Sequence, residues 1–312
     1  MTTLIIGAGQ IGCHVAQILM AQAHEPVVYD VSPPLEFIRV VLPGARMNLK
    51  QGDIRDMASL VDVIREHSVD RIIHTAAILP PKAEDDPLLT TDVNVRGTAN
   101  VLEAARLTGV ERVVFCSTIG VYDLRAISGD RIGEDDPVRC DTVYGASKLY
   151  GERLGENYAR RRGVGFVALR FAHIFGAAPL PPRPGIASFV GELVSACAQG
   201  IHRTVRPRTS AAKEYLYVPD AARAAVLAAT APNLTDCVFN IGTGCVHEPR
   251  EVAQIARAIT PELKIDVEDV APAGGPGRPF DLTRAHRQLG YAPAYDLEAG
   301  MRHFVSHLKR QH

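Results

Sequence analysis

Tyr144 and Lys148 stand four residues apart in the run Tyr-Gly-Ala-Ser-Lys. On a helix, an i, i+4 pair lies side by side on one face. A phenol held against an ammonium group is a proton-transfer base. Tyrosine ordinarily ionises near pH 10, and bringing that to about 7 takes roughly 4 kcal/mol of differential stabilisation. A cation in a partly desolvated cleft supplies stabilisation of this kind. The spacing by itself is a weak signal, because a pattern this short recurs by chance. Its meaning depends on the elements that position it.

Short β-branched runs at 4–6, 26–29, 71–74, 112–116 and 165–169 read as buried strands. Between them, 11–23, 57–67, 93–107 and 144–161 carry apolar residues at helical spacing. Repeated β-α-β units predict an α/β fold, a Rossmann-type doubly wound parallel sheet covered by helices on both faces. From about Gly176 the chemistry changes to a proline-rich loop, since proline removes backbone donors. A helix over 186–199, an arginine-rich segment over 201–213, a strand over 237–241 and a second loop over 271–279 follow. The expected division is a dinucleotide-binding unit over 1–175, with 211–245 returning to it. The segments 176–210 and 246–312 then form a smaller carboxy-terminal, substrate-binding lobe.

The dinucleotide expectation comes from Gly7-Ala-Gly-Gln-Ile-Gly12, which follows the first strand and opens the first helix. In such a turn Gly7, Gly9 and Gly12 let backbone approach a pyrophosphate, and the amides from Gln10 and Ile11 onward form a helix amino terminus that faces it. Asp30, 18 residues beyond Gly12, ends the second strand where an acid hydrogen-bonds ribose hydroxyls. An acid there repels a 2′-phosphate, and Val31 and Ser32 offer no cation, so NAD is favoured over NADP. Arg39 is the one nearby cation that could fold back and weaken that preference.

Bulk properties exclude rather than assign. The 312 residues are 46% hydrophobic and 22% charged with a net charge of −1, which gives no bias towards nucleic acid or anionic membrane. No apolar stretch reaches the length of a membrane span, and the amino terminus lacks the pattern of a signal peptide. Cys13, Cys116, Cys140, Cys197, Cys237 and Cys245 show no Cys-x-x-Cys spacing and read as reduced thiols of a cytoplasmic protein. No metal site is expected.

With these residues in view, the chain resembles the extended short-chain dehydrogenase/reductases, the NAD-dependent epimerase/dehydratase family, over nearly its full length. Gly52-Asp53-Ile54-Arg55-Asp56 looks like the family's adenine-contacting turn, with Asp53 and Ile54 at the cofactor. His74-Thr-Ala-Ala77 resembles the small-residue strand end, placing Ala76 and Ala77 against the cofactor. Asn94-Val-Arg-Gly-Thr98 is similar to the helix that carries a structural asparagine, and Phe115 to Tyr122 to the catalytic strand, with Thr118 at the family's Ser/Thr position. The runs beginning at Leu169, Phe239 and Leu289 continue the match in order. The resemblance implies that Tyr144 shuttles the proton of a secondary alcohol, that Lys148 lowers the tyrosine pKa and holds the nicotinamide ribose, and that Thr118 aligns the reacting oxygen. It also implies a homodimer built on the helices at 93–107 and 144–161.

Departures from the family pattern narrow the reaction. Sugar dehydratases carry Thr-Asp-Glu on the catalytic strand, whereas this chain has Thr118-Ile119-Gly120, which cannot move a proton in water elimination. Nucleotide-sugar enzymes commonly have an asparagine where His173 stands and an arginine where Lys213 stands. Lysine keeps the charge but loses the fork that suits phosphate. The loop Ile78-Leu-Pro-Pro-Lys-Ala83 is expected over the substrate. Leu79, Lys82, Ser117, Thr118, His173 and Lys213 then outline a pocket for a small hydroxylated or ketone compound that can carry a carboxylate, and Arg203, Arg206 and Arg208 read mainly as a solvated basic loop. The leading expectation is an NAD-dependent dehydrogenase, the alternative an epimerase that retains NAD, and the third a non-catalytic dinucleotide-binding regulator, which the Tyr144–Lys148 pair disfavours.

Overall fold

A computed structural model describes residues 1–45, 47–179, 188–271 and 277–310. The first half alternates strictly. It runs β1 (Thr3–Ile6), α1 (Gln10–Ala21), β2 (Val27–Asp30), α2 (Leu35–Val41), β3 (Asn48–Gln51), α3 (Met57–Glu66) and β4 (Arg71–His74). Two short helices, α4 (Lys82–Asp85) and α5 (Pro87–Thr90), pass through a π-helical segment, Thr91–Gly97, into α6 (Thr98–Thr108). Then come β5 (Arg112–Thr118), α7 (Val143–Arg162), β6 (Gly165–Phe171) and β7 (His173–Phe175). The last part comprises α8 (Ser188–Gln199), β8 (Arg203–Val205), β9 (Tyr215–Tyr217), α9 (Val218–Thr230), β10 (Val238–Ile241), α10 (Pro249–Ile259), β11 (Ile265–Val267), α11 (Thr283–Leu289) and α12 (Leu297–Lys309).

Seven strands form one sheet in the order β10-β6-β5-β4-β1-β2-β3, and every pairing is parallel. The Rossmann-type doubly wound sheet expected from sequence is therefore present. The inner strands read as continuous apolar runs because helices cover both faces. Ile5, Val28, Ile73, Val114 and Leu169 turn to one face with α1, α2 and α9; Leu4, Val27, Ile72, Val113 and Ala168 turn to the other with α3 and α6. A third cluster joins α8, α10 and α12 with Phe175, Tyr215 and Tyr217. Two small parallel sheets, β7 with β9 and β8 with β11, lie outside the main one.

Chain order reverses between β1 and β4, which neighbour each other at the centre of the sheet. At such a switch point the loops leaving the two strands diverge and open a crevice beyond their carboxyl ends. On the far side of β4, α7 comes unusually close to the sheet. A Cβ on Gly151 would stand 2.6 Å from the Phe115 ring, so only glycine permits this approach. The approach carries Lys148, one turn earlier, down to the end of β5.

The structure adds elements that the sequence pattern does not announce. The polar run Asn48–Gln51 is the edge strand β3, and the segment 201–213 includes β8. The expected helix over 93–107 begins π-helical and turns α-helical only at Thr98. The expected helix over 186–199 is described from Ser188, and parts of both expected loops, 180–187 and 272–276, lie outside the described residues. No described helix is long and apolar enough to cross a membrane.

Candidate active site

The glycine turn between β1 and α1 sits at the switch point. Gly7 has φ +103°, and a Cβ there would meet the backbone of Ala76 at 2.7 Å, so the turn lies directly against the segment leaving β4. A Cβ on Gly12 would fall 1.9 Å from the Gly7 carbonyl oxygen, which fixes the tight strand-to-helix turn. Around Gly9 the space is open, and no side chain caps the amino terminus of α1. A helix start left uncapped beside open space is suited to an anion such as a pyrophosphate. Ile11 packs beneath it, and the Gln10 amide side chain donates to the Gly176 carbonyl at 3.0 Å.

Asp30 reinforces the same turn. One carboxylate oxygen accepts the Ala8 amide at 2.7 Å and the other the Ser32 amide at 2.8 Å. The acid is thereby held at the edge of the crevice, against the glycine turn. Further along, the Asp53 carboxylate is gripped by the Arg55 guanidinium, whose hydrogen bonds hold its pKa below the ordinary carboxylate value. Ile54 is buried against Gly97, and Ala76 and Ala77 are half-buried where β4 gives way to the crevice.

Tyr144 lies in the first turn of α7, with Lys148 one turn on, as the i, i+4 spacing requires. The Lys148 ammonium is 5.8 Å from the Tyr144 ring centroid and 4.7 Å from that of Phe115, and it donates to the Cys116 carbonyl at 2.8 Å. Burial lowers its pKa to about 8, with the Cys116 and Glu152 charges acting in the opposite direction. The Tyr144 phenol is pushed up, first by burial and then by Cys116. Thr118 is half-buried at the end of β5, where its hydroxyl accepts the Gly120 amide at 3.1 Å.

Behind the pair lies a buried ionic unit. Glu152 continues the face of Tyr144 and Lys148 by one more turn, and Arg170 grips its carboxylate at 2.7 and 3.0 Å. Both are almost fully buried. Ser117 donates to the same carboxylate at 2.5 Å, which commits its hydroxyl to Glu152. Tyr122 stacks on Arg170 and donates to Asn240 at 2.7 Å. His74 is equally buried. Its Nε2 is 3.1 Å from the Thr98 hydroxyl, while its Nδ1 has no hydrogen-bond partner among the described residues. Burial, with the Lys148 charge second, lowers its pKa to about 3.

Asn94 projects from the π-helical segment and exchanges two hydrogen bonds with the backbone of Ile78, at 2.7 and 3.0 Å. It anchors the start of the loop that carries Leu79 and Lys82, both exposed. Across the crevice, His173 directs Nδ1 at the Glu214 carbonyl, 3.2 Å away, which selects the tautomer with the proton on Nδ1. Burial and the Lys213 charge lower its pKa to about 4. Lys213 is buried, and its ammonium makes no hydrogen bond or ion pair among the described residues. Burial lowers its pKa. Arg203, Arg206 and Arg208 are exposed, with Arg206 3.5 Å from Glu268.

Three supporting acids escape a motif-based reading. Glu84 caps α7, Glu152 joins helix to strand, and Glu214 takes the amides of Thr243, Gly244 and Phe280 at 2.6 to 2.7 Å. Only Glu152 leaves a signal, as the third member of an i, i+4, i+8 face. Among the described residues, no group of three or more His, Cys, Asp or Glu side chains is placed to hold a metal ion.

A parallel sheet with a glycine turn at its switch point, an acid at the end of β2 and a tyrosine–lysine helix beside them defines a nucleotide-cofactor enzyme of the short-chain dehydrogenase type. Residues 3–242 match the model of the NAD dependent epimerase/dehydratase family, and the chain belongs to that family. It is 30% identical to a UDP-glucose 4-epimerase of Lacticaseibacillus casei, over 95% of this chain and 93% of that protein. It is 27% identical to the mitochondrial L-threonine 3-dehydrogenase of Bos taurus, over 93% of this chain and 78% of that protein. The UDP-glucose 4-epimerase of Thermus thermophilus, solved in complex with NAD, superposes with a TM-score of 0.82 at 28% identity, covering 99% of both chains. The protein is an NAD-dependent enzyme.

Proposed function

We propose that the protein transfers hydride between NAD and the secondary alcohol carbon of a small, hydroxylated, sugar-like substrate. When bound, NAD takes up the hydride or returns it. Gly7, Gly9, Gln10, Ile11 and Gly12 cradle its pyrophosphate, and Asp30 its adenosine ribose. Asp53, Ile54, Ala76, Ala77 and Asn94 border the rest. Tyr144 accepts the alcohol proton, Lys148 holds the phenolate and the nicotinamide ribose, and Thr118 aligns the reacting oxygen. The observation that carries this reading is Lys148 at the end of β5. Its ammonium sits 5.8 Å from the Tyr144 ring, in the same crevice as the glycine turn.

Lys213 and His173 support a substrate with one carboxylate. Lys213 is largely buried beside His173, and its charge acts on that imidazole, which places a cation where a carboxylate would pair with it. Epimerisation is the second reading, favoured by the UDP-glucose 4-epimerases among the relatives. In that case the same tyrosine acts and hydride returns to the opposite face of the carbon. We further propose a cytoplasmic homodimer, with 176–210 and 246–312 forming the substrate-binding lobe. Exposed Leu107 on α6 and Tyr150 on α7 support burial of those helices by a second copy.

The test is NADH formation from NAD with a panel of sugars, uronates, hydroxy acids and cyclic alcohols. A dehydrogenase forms NADH in proportion to substrate. An epimerase copurifies with NAD, interconverts UDP-glucose and UDP-galactose, and gives no net NADH. Absence of both activities would sink the reading.

A further inference from the structure

The loop 78–84 is tied at both ends to the backbone of one residue, Tyr144. At its start, Ile78 is held through both its amide and its carbonyl by Asn94. Asn94 also donates to the Ser147 hydroxyl at 3.1 Å, and Ser147 donates in turn to the Tyr144 carbonyl at 2.7 Å. At its other end, Glu84 on α4 spreads its carboxylate over the amino terminus of α7. One oxygen accepts the Val143 amide at 2.9 Å and the other the Tyr144 amide at 3.0 Å.

The two contacts differ in kind. The Asn94–Ser147 path is buried and neutral, whereas Glu84 is exposed and charged. The Thr142 hydroxyl already caps α7 by accepting the Gly145 amide at 3.0 Å. Thr142 meets only one of the four amides that a helix start leaves without partners, and Glu84 takes those of Val143 and Tyr144 from 59 and 60 residues away. What Glu84 adds is a link. It fastens the end of the loop to the residue whose phenol must meet the substrate. The Thr90 hydroxyl donates to the Ala83 carbonyl at 3.0 Å, and Ala83 is fully buried, so the carboxylate projects from a fixed turn. A negative group at that helix end is also favoured by the helix dipole.

We propose that Glu84 is a positioning residue that couples the 78–84 loop to the orientation of Tyr144. The inference rests on Tyr144 being the base. A substrate seated under Leu79 and Lys82 presses on a segment whose two ends fix the amide and carbonyl of that tyrosine. Ordering the loop then orders the phenol.

The test compares Glu84→Ala and Glu84→Gln with the wild-type full chain. Amide hydrogen exchange is followed over 78–90 and 143–150, NAD affinity by titration, and turnover with the alcohol found active in the NADH panel. Glu84→Ala should speed exchange in both segments together and lower kcat by about 10-fold to 100-fold, as small misplacements of reacting groups do. NAD affinity should stay within about two-fold, since the mutated contact lies away from the glycine turn. Glu84→Gln keeps one acceptor oxygen but turns an NH2 donor to the other amide, so its kcat should fall between those of Ala and wild type. A plain helix cap would lower the melting temperature and leave kcat alone, so unchanged kcat in Glu84→Ala overturns the proposal. So does a Gln variant no better than Ala, or exchange that changes in 143–150 but not in 78–90. If no variant turns over any substrate, the function reading fails, and the exchange pattern still decides whether the loop and Tyr144 move as one.

Discussion

Asp30 accepts the Ala8 amide at 2.7 Å, so the acid proposed for the ribose and the turn proposed for the pyrophosphate are one structural unit. Specificity and cofactor affinity are therefore linked in this crevice. Removing the carboxylate should loosen the glycine turn as well as the proposed ribose site.

Asp30→Asn separates the two effects, because asparagine retains one oxygen for the Ala8 amide and loses the charge. Its NAD affinity should fall by about ten-fold, near the value of a charged hydrogen bond, and its preference for NAD over NADP should shrink. Asp30→Ala should weaken both cofactors further. Cofactor titrations on the two variants check this; undiminished NAD selectivity in Asp30→Asn would remove Asp30 from the ribose site.

Tyr144→Phe should leave NAD affinity nearly intact and reduce turnover by about 10²- to 10⁴-fold, the range for a lost general acid–base group. Steady-state kinetics beside a cofactor titration measure both. Equal loss of cofactor binding would instead point to a role in packing.

Glu152→Gln should destabilise the fold by about 3–5 kcal/mol, because it leaves the Arg170 guanidinium buried without its counter-charge. Denaturant unfolding reads the loss. A change below about 1 kcal/mol would show that Arg170 finds another partner.

Stability should fall on acidification from about pH 7. The His74 imidazole protonates near 6.5 in the unfolded chain but only near 3 in the folded one, held down by burial and then by Lys148. Between those values the unfolded chain binds more protons, so stability present above 6.5 drains away as the pH drops. At pH 5 this alone amounts to about 2 kcal/mol, and His173 acts in the same direction. Denaturation of His74→Asn at the two pH values should show a shallower dependence; an unchanged slope would shift the origin elsewhere.

Much of this architecture is legible in residue types. β1, the glycine turn, α1 and Asp30 announce themselves because a parallel strand buried on both faces must be apolar and a tight turn at a helix start must be glycine. β3 does not, since an edge strand with exposed Asn48 and Gln51 carries no apolar pattern. The three-residue strands β7, β8, β9 and β11 are too short to show one. In the site, Tyr144, Lys148 and Thr118 follow from spacing and resemblance. The sequence reading turns Ser117 towards the substrate, yet its hydroxyl is spent on Glu152. Strand alternation groups Ser117 with Phe115, and Glu152 continues the face of Lys148, so that pairing is within reach of the sequence. Glu84 is not, because a contact across 60 residues leaves no local trace.

The π-helical stretch Thr91–Gly97 lies inside a continuous helical path from α5 to α6. It holds surplus residue length that an α-helix would not accommodate. Deleting one residue there would let the stretch tighten into α-helix while α5 and α6 keep their relative phase, because the wider π turns take up the extra residue locally. The change would fall on the stretch itself, which holds Asn94 against Ile78 and Ser147. The surplus residue thus sets where Asn94 points, and leaves the winding of the flanking helices as it is.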